Sequence, residues 1–83
     1  MPNKILIVDD DEEIRKVISI YLENEGFEIY KAENGQEALK IIEENEVDLV
    51  LLDIMMPGMN GLEVCMKIRE SSVMPIIFRS EEH

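Results

Sequence analysis

Asp48-Leu49-Val50-Leu51-Leu52-Asp53-Ile54-Met55-Met56-Pro57-Gly58-Met59-Asn60-Gly61 is the stretch whose reading decides the fold. Four apolar residues in a row, Leu49 to Leu52, lead into a single acid, Asp53. A turn containing Pro57 and Gly58 follows, and a helical pattern starts at about Gly61. A short apolar run bounded by turn signals is how a strand buried on both faces reads. Asp53 is therefore expected where such a strand leaves its sheet. In open parallel α/β sheets, ligands bind beyond the carboxyl ends of the strands. An acid in that position is costly unless something pairs with it.

Working outward toward the N-terminus, Ile5 to Val8 is a second all-apolar, β-branched run and reads as a central parallel strand. It ends in Asp9-Asp10-Asp11. From Glu12 the period changes. Ile14, Val17, Ile18, Tyr21 and Leu22 fall on one helical stripe, and Gly26 supplies a left-handed stop. The acids Asp10 to Glu13 complement the positive end of that helix. Glu28-Ile29-Tyr30-Lys31 alternates polar and apolar, as an edge strand does. Asn34 then caps a second helix, with Glu37 where a capping-box partner belongs and Ala38, Leu39, Ile41 and Ile42 on the buried side. Beyond the opening stretch, Asn60 caps a third helix whose apolar side is Leu62, Val64, Cys65 and Ile68. Pro75 opens a fourth apolar run, Ile76-Ile77-Phe78, followed by Arg79-Ser80-Glu81-Glu82-His83. The order is βαβαβαβ. Alternating strands and helices imply right-handed crossovers and one parallel sheet. No repeat, linker or low-complexity segment divides residues 1–83, so a single domain is expected.

The chain has 83 residues, and 46% are apolar, which argues for a packed globule rather than disorder. With two tyrosines, two phenylalanines and no tryptophan, the core must be aliphatic, helped by six methionines that suit irregular gaps. The net charge of −11 disfavours nucleic acid and anionic membrane surfaces, both of which call for a cationic footprint. It suits a partner with basic contacts or a bound cation, although solvated helix faces account for much of it. Cys65 is the lone cysteine, so an internal disulfide is excluded and a cytoplasmic setting is expected. No apolar run approaches the roughly 18 residues of a membrane span, and acids from Asp9 onward interrupt any signal-peptide core.

Two strands, the first and the third, each end in acid. If they are neighbours, Asp9, Asp10 and Asp53 gather at one edge of the sheet. Three carboxylates so close repel one another, and burial makes this worse. A hard cation with oxygen ligands resolves the conflict: Mg²⁺ takes one or two carboxylates, a carbonyl and waters. The backbone carbonyl of Met55 is placed to join. A carboxylate held beside Mg²⁺ can attack a phosphoryl group, giving an aspartyl phosphate. Ser80, leaving the fourth strand at the same edge, could donate its hydroxyl to that phosphate. Each residue also has an ordinary reading. The acid run can be a helix cap, Asp53 a strand-end turn residue, and Cys65 and the methionines core. Ser80 alone carries no weight, and His83 is uncommitted.

With both segments in view, Ile5-Leu6-Ile7-Val8-Asp9-Asp10-Asp11 and Leu51 to Gly61 resemble the receiver domain of two-component response regulators. The resemblance runs from Lys4 to about Ser80. It implies a flavodoxin-like (CheY-like) α/β fold with strand order 2-1-3-4. It implies that Asp53 is the phosphoacceptor, charged by a sensor histidine kinase. It implies that Asp9, Asp10 and Asp53 hold Mg²⁺ with the Met55 carbonyl, and that Ser80 is the switch hydroxyl. The departures are equally specific. The family continues with a fourth helix, a fifth strand and a fifth helix, whereas this sequence stops after the fourth strand. No residue matches the family's phosphate-binding lysine, since Lys4, Lys16, Lys31, Lys40 and Lys67 all fall elsewhere. Arg79 stands where an apolar residue is usual, and Glu81 where a small one is.

These departures carry expectations of their own. Residues 1–83 read as one receiver domain, truncated at its C-terminal side. Loss of the lysine should slow phosphorylation by roughly 10²–10³-fold, the scale of removing one charge-stabilising donor. The fourth strand becomes an apolar edge, and one helix covers a face that two normally share, so self-association through that edge is expected. Two readings compete with a working receiver. One is a phosphorylation-incompetent fragment acting as a self-associating scaffold. The other is a phosphohydrolase with Asp9 as nucleophile and Asp11 as acid/base, which lacks the downstream lysine and acids such chemistry needs.

Overall fold

The computed structural model describes residues 3–56 and 60–79. Its elements are β1 (Lys4–Val8), α1 (Glu12–Asn24), β2 (Glu28–Ala32), α2 (Gly35–Glu44), β3 (Leu49–Asp53), α3 (Gly61–Arg69) and β4 (Ile76–Arg79). All three strand pairings are parallel, and the order is β2-β1-β3-β4. This is the flavodoxin-like arrangement expected from the sequence. The Pro57–Gly58 turn and the expectations for Ser80, Glu81 and His83 lie outside the described residues.

Each helix starts at the cap its sequence provides. Asp11 Oδ1 accepts the N–H groups of Glu13 and Ile14 at 2.9 and 3.3 Å, closing the first turn of α1. Asn34 Oδ1 accepts the N–H of Glu37 at 2.9 Å, while Glu37 Oε1 reaches back to the N–H of Glu33 at 3.1 Å. That is a capping box whose return arm lands one residue earlier than usual. Asn60 Oδ1 accepts the N–H of Leu62 at 2.9 Å. Gly26 ends α1 with φ of 97°, a conformation open to glycine at no steric cost.

Strand side chains alternate between faces, so the sheet has two unequal sides. Leu6, Val8, Val50 and Leu52 point to one side and pack with Ala38 of α2 and with Val64 and Ile68 of α3. Ile5 and Ile7 point to the other side and are also buried. Here α1 packs against β1 and β2, leaving the β3–β4 part of this face more open. Leu49 and Leu51 are half-buried as a result, and Ile77 is 51% exposed.

Three details differ from the expected packing. Val17 and Tyr21, placed on the α1 stripe by their spacing, are each 66% exposed. The helix instead approaches the sheet through Ser19, which is buried, flanked by the half-buried Ile14, Ile18 and Leu22. A small residue at the contact lets the helix sit close and turns the two larger side chains outward. On α3, Val64 and Ile68 are buried, whereas Leu62 is exposed. Among the methionines, Met56 fills the core as expected, while Met55 and Met66 face solvent.

Candidate functional site

The carboxyl ends of the neighbouring strands β1 and β3 bring Asp9 and Asp53 together. Within this order, β1 connects outward to β2 and β3 lies on its other side, so the two acids occupy the topological switch point. Asp9 is fully buried and Asp53 is 2% exposed, while Asp10 is exposed. Each of the three offers a carboxylate oxygen within 4.8 Å of the others. The sequence-predicted acid set therefore converges.

The backbone under these acids is pinned. The Asp9 N–H donates to the Ala32 carbonyl at 3.1 Å, extending the β1–β2 ladder by one rung. The Arg15 guanidinium, from the first turns of α1, donates to the Asp9 carbonyl. The Ile54 N–H donates to the Arg79 carbonyl at 3.1 Å, holding the exit of β3 against the end of β4. The side chains are oriented as well. Asp9 Oδ1 accepts the Asp11 N–H at 2.8 Å, and Asp53 Oδ1 accepts the Met55 N–H at 2.9 Å. Each buried carboxylate thus commits one oxygen to the turn that follows its strand.

The acid run after β1 turns out to divide its labour. Asp11 caps α1, whereas Asp9 and Asp10 belong to the cluster. The run thus serves both as a helix cap and as part of an acidic cluster, through different residues. Commitment of Asp11 to the cap counts against the hydrolase reading, which needs it as acid/base.

Two site residues escaped the sequence reading. The Arg79 guanidinium forms an ion pair with Asp9 Oδ2, and neither of the two atoms has a hydrogen-bond partner among the described residues. The signal was the register: Arg79 lies opposite Asp53 across the β3–β4 pairing, so their side chains emerge on the same face. Read along the chain alone, Arg79 is only an odd residue at a strand end. Arg15 was equally silent, because its role depends on the turn that brings α1 back over Asp9.

The gathered donors are carboxylate oxygens, the chemistry that suits a hard divalent cation. Two of the three acids are buried beside each other, an arrangement that calls for positive charge. The residues present therefore fit such an ion.

Comparison with known proteins gives a consistent result. The family model described as response regulator receiver domain matches residues 5–83. The regulatory protein VanR of Enterococcus faecium is 48% identical over 77 residues, covering 93% of this chain and 33% of that protein. The transcriptional regulatory protein SrrA of Staphylococcus aureus is 51% identical over 77 residues, covering 93% of this chain and 32% of that protein. The chain thus spans about a third of the length of these relatives. Among solved structures, the response regulator TrrA of Thermotoga maritima, in complex with Mg²⁺ and a beryllium fluoride, is 47% identical with a TM-score of 0.86, covering 94% of this chain and 69% of that one. TrrA in complex with the histidine kinase ThkA is 46% identical with a TM-score of 0.88, covering 98% of this chain and 72% of that one. With this fold, this acid cluster and these relatives, the chain belongs to the response regulator receiver domain family.

Proposed function

We propose that residues 1–83 act as one phosphoacceptor receiver module, in which Asp53 accepts a phosphoryl group from a sensor histidine kinase. The observation that carries this reading is the convergence of Asp9, Asp10 and Asp53, from the carboxyl ends of two different strands, within 4.8 Å. In the transfer, an Asp53 carboxylate oxygen forms a bond to phosphorus. The phosphorus–nitrogen bond of the donor phosphohistidine breaks, and its electron pair returns to the imidazole. The modification falls on the chain itself, so the module is a signalling domain rather than an enzyme with turnover. Asp9, Asp10, Asp53 and the Met55 carbonyl are the ligands assigned to Mg²⁺, which when bound neutralises charge on the transferring group. The chain's own residues do the rest. The Met55 N–H orients Asp53, the Asp11 N–H orients Asp9, and the β1–β2 and β3–β4 ladders hold both strand ends in register. Ser80 is assigned the switch hydroxyl at the end of β4.

Several observations support the partners. TrrA, about half identical to this chain, is known in complex with its histidine kinase. The net charge of −11 argues against a nucleic-acid footprint on this module. No helix among the described residues is long and apolar enough to cross a membrane, and the lone Cys65 fits the cytoplasm where such kinases deliver phosphate. Edge exposure of Ile77 and Phe78 on β4 supports association of two copies. The scaffold alternative is not favoured, because the acid set is complete.

The test is incubation with a small acyl phosphate, with and without Mg²⁺, followed by intact-mass measurement. One added phosphoryl group that requires Mg²⁺ is expected. Absence of any added group at saturating Mg²⁺ contradicts the reading.

A further inference from the structure

The Arg79–Asp9 ion pair places a fixed positive charge inside the acid cluster. We propose that Arg79 is a built-in counter-cation that a divalent ion must displace from Asp9, so that this one residue sets the metal affinity of the site. The proposal rests on the reading of Asp9, Asp10 and Asp53 as the cation site.

The argument begins at the backbone. β4 runs parallel to β3 with Arg79 opposite Asp53, and the Arg79 carbonyl accepts the Ile54 N–H. The base of the arginine side chain is therefore as rigidly placed as Asp53 itself. Its side chain borders a groove lined by Ile14, Val17 and Ile18 of α1. The guanidinium reaches Asp9 rather than solvent, although Asp11 and Glu13 stand exposed on the same groove. A fully buried carboxylate has the most to gain from a cation, and this one has its other oxygen taken by the Asp11 N–H. Asp9 thus has Oδ1 engaged by the Asp11 N–H and Oδ2 ion-paired with Arg79.

A divalent ion needs the same carboxylate. Mg²⁺ binds oxygen at about 2.0–2.1 Å in a strict octahedron and tolerates little distortion. A guanidinium on the same carboxylate would be held against two like charges, with two faces of the donor oxygen contested. The two cations therefore compete for Asp9 Oδ2. Arg15 does not relieve the conflict, because it engages the Asp9 carbonyl and not the carboxylate. The arginine stem has the rotamer freedom to withdraw along the α1 groove, whereas the acids are fixed by their turns. Metal entry and Arg79 release are therefore one exchange.

The test compares Mg²⁺ titrations by calorimetry for the unaltered chain, Arg79→Met and Arg79→Lys at constant ionic strength. Arg79→Met keeps an apolar stem and removes the charge, and it should bind Mg²⁺ about tenfold more tightly, the factor for one charge-assisted contact. Its melting temperature without Mg²⁺ should fall, and the rise on adding Mg²⁺ should exceed that of the unaltered chain. Arg79→Lys should bind Mg²⁺ less tightly than Arg79→Met, because it retains the charge. In the unaltered chain, the Arg79 side-chain N–H signals in NMR should change on Mg²⁺ saturation, a readout that needs no variant to fold. Equal Mg²⁺ affinity for Arg79→Met and the unaltered chain overturns the proposal alone, as do unchanged Arg79 signals at saturation. Failure of every form to bind Mg²⁺ overturns the cation-site reading together with it.

Discussion

At Gly61 the sequence signal and the structure meet on a single missing atom. A Cβ built there would lie 2.7 Å from the Ile54 Cα, a backbone atom that cannot turn aside. Ile54 directly follows Asp53, so the start of α3 packs on the exit of β3. Gly61→Ala should cost about 1–3 kcal/mol, the range for overpacking a filled site, read as a lower urea midpoint at constant slope. The same close approach ties the site to the helix: anything that pushes α3 away disturbs Ile54 and with it the exit of β3 at Asp53. At this scale the acids were legible. Asp9, Asp10 and Asp53 announce themselves because they end apolar runs, where a charge has no packing reason to be. The Arg79–Asp9 pair was not legible. It joins residues seventy positions apart on strands that are not adjacent, and nothing in local spacing tells which face or which acid an arginine will reach.

At the scale of elements, the caps and strand runs could be read from the chain, and the helix faces could be read only in part. Asp11, Asn34 and Asn60 each cap the helix their sequence opens, because a side-chain oxygen two or three residues ahead of free N–H groups is a local geometry. The stripe of α1 is different. Period alone puts Val17 and Tyr21 with Ile14 and Ile18, but which half of a wide stripe meets the sheet depends on where the helix docks. Ser19 decides it by allowing close contact. The consequence is measurable. Val17→Ser should change stability by no more than about 0.5 kcal/mol, as at an exposed site. Leu6→Ala, in the central strand with its side chain fully buried, should cost about 2–5 kcal/mol. A large loss at Val17 would mean that α1 docks on the face its period suggests rather than through Ser19.

The whole molecule is a sheet covered unevenly. α2 and α3 together close one face, whereas α1 alone lies over the other and leaves β3 and β4 partly open. Among the described residues β4 pairs with β3 alone, and it carries Ile77 at 51% and Phe78 at 43% exposure. Unpaired, apolar edges recruit further strands. Sedimentation velocity should show concentration-dependent association, and Ile77→Lys, which puts a charge on that edge, should shift the chain toward monomer. A monomer at every concentration would remove the edge as an interface. The parallel order was legible because strands and helices alternate and the two buried runs differ in character from the alternating edge run. The unevenness was foreseen for the α1 face, since a single helix cannot cover four strands. Its detailed form, with the arginine of β4 folded inward onto Asp9, follows from the assembled sheet.

All three scales converge on Asp53, and the most direct measurement is where a phosphoryl group lands. The chain is incubated with Mg²⁺ and an acyl phosphate, reduced with borohydride to trap any acyl phosphate on a side chain, and mapped by tandem mass spectrometry. The account predicts modification at Asp53, abolished by Asp53→Asn and by removal of Mg²⁺. Modification at Asp9, Asp10 or another acid, or labelling that persists in Asp53→Asn, would contradict it.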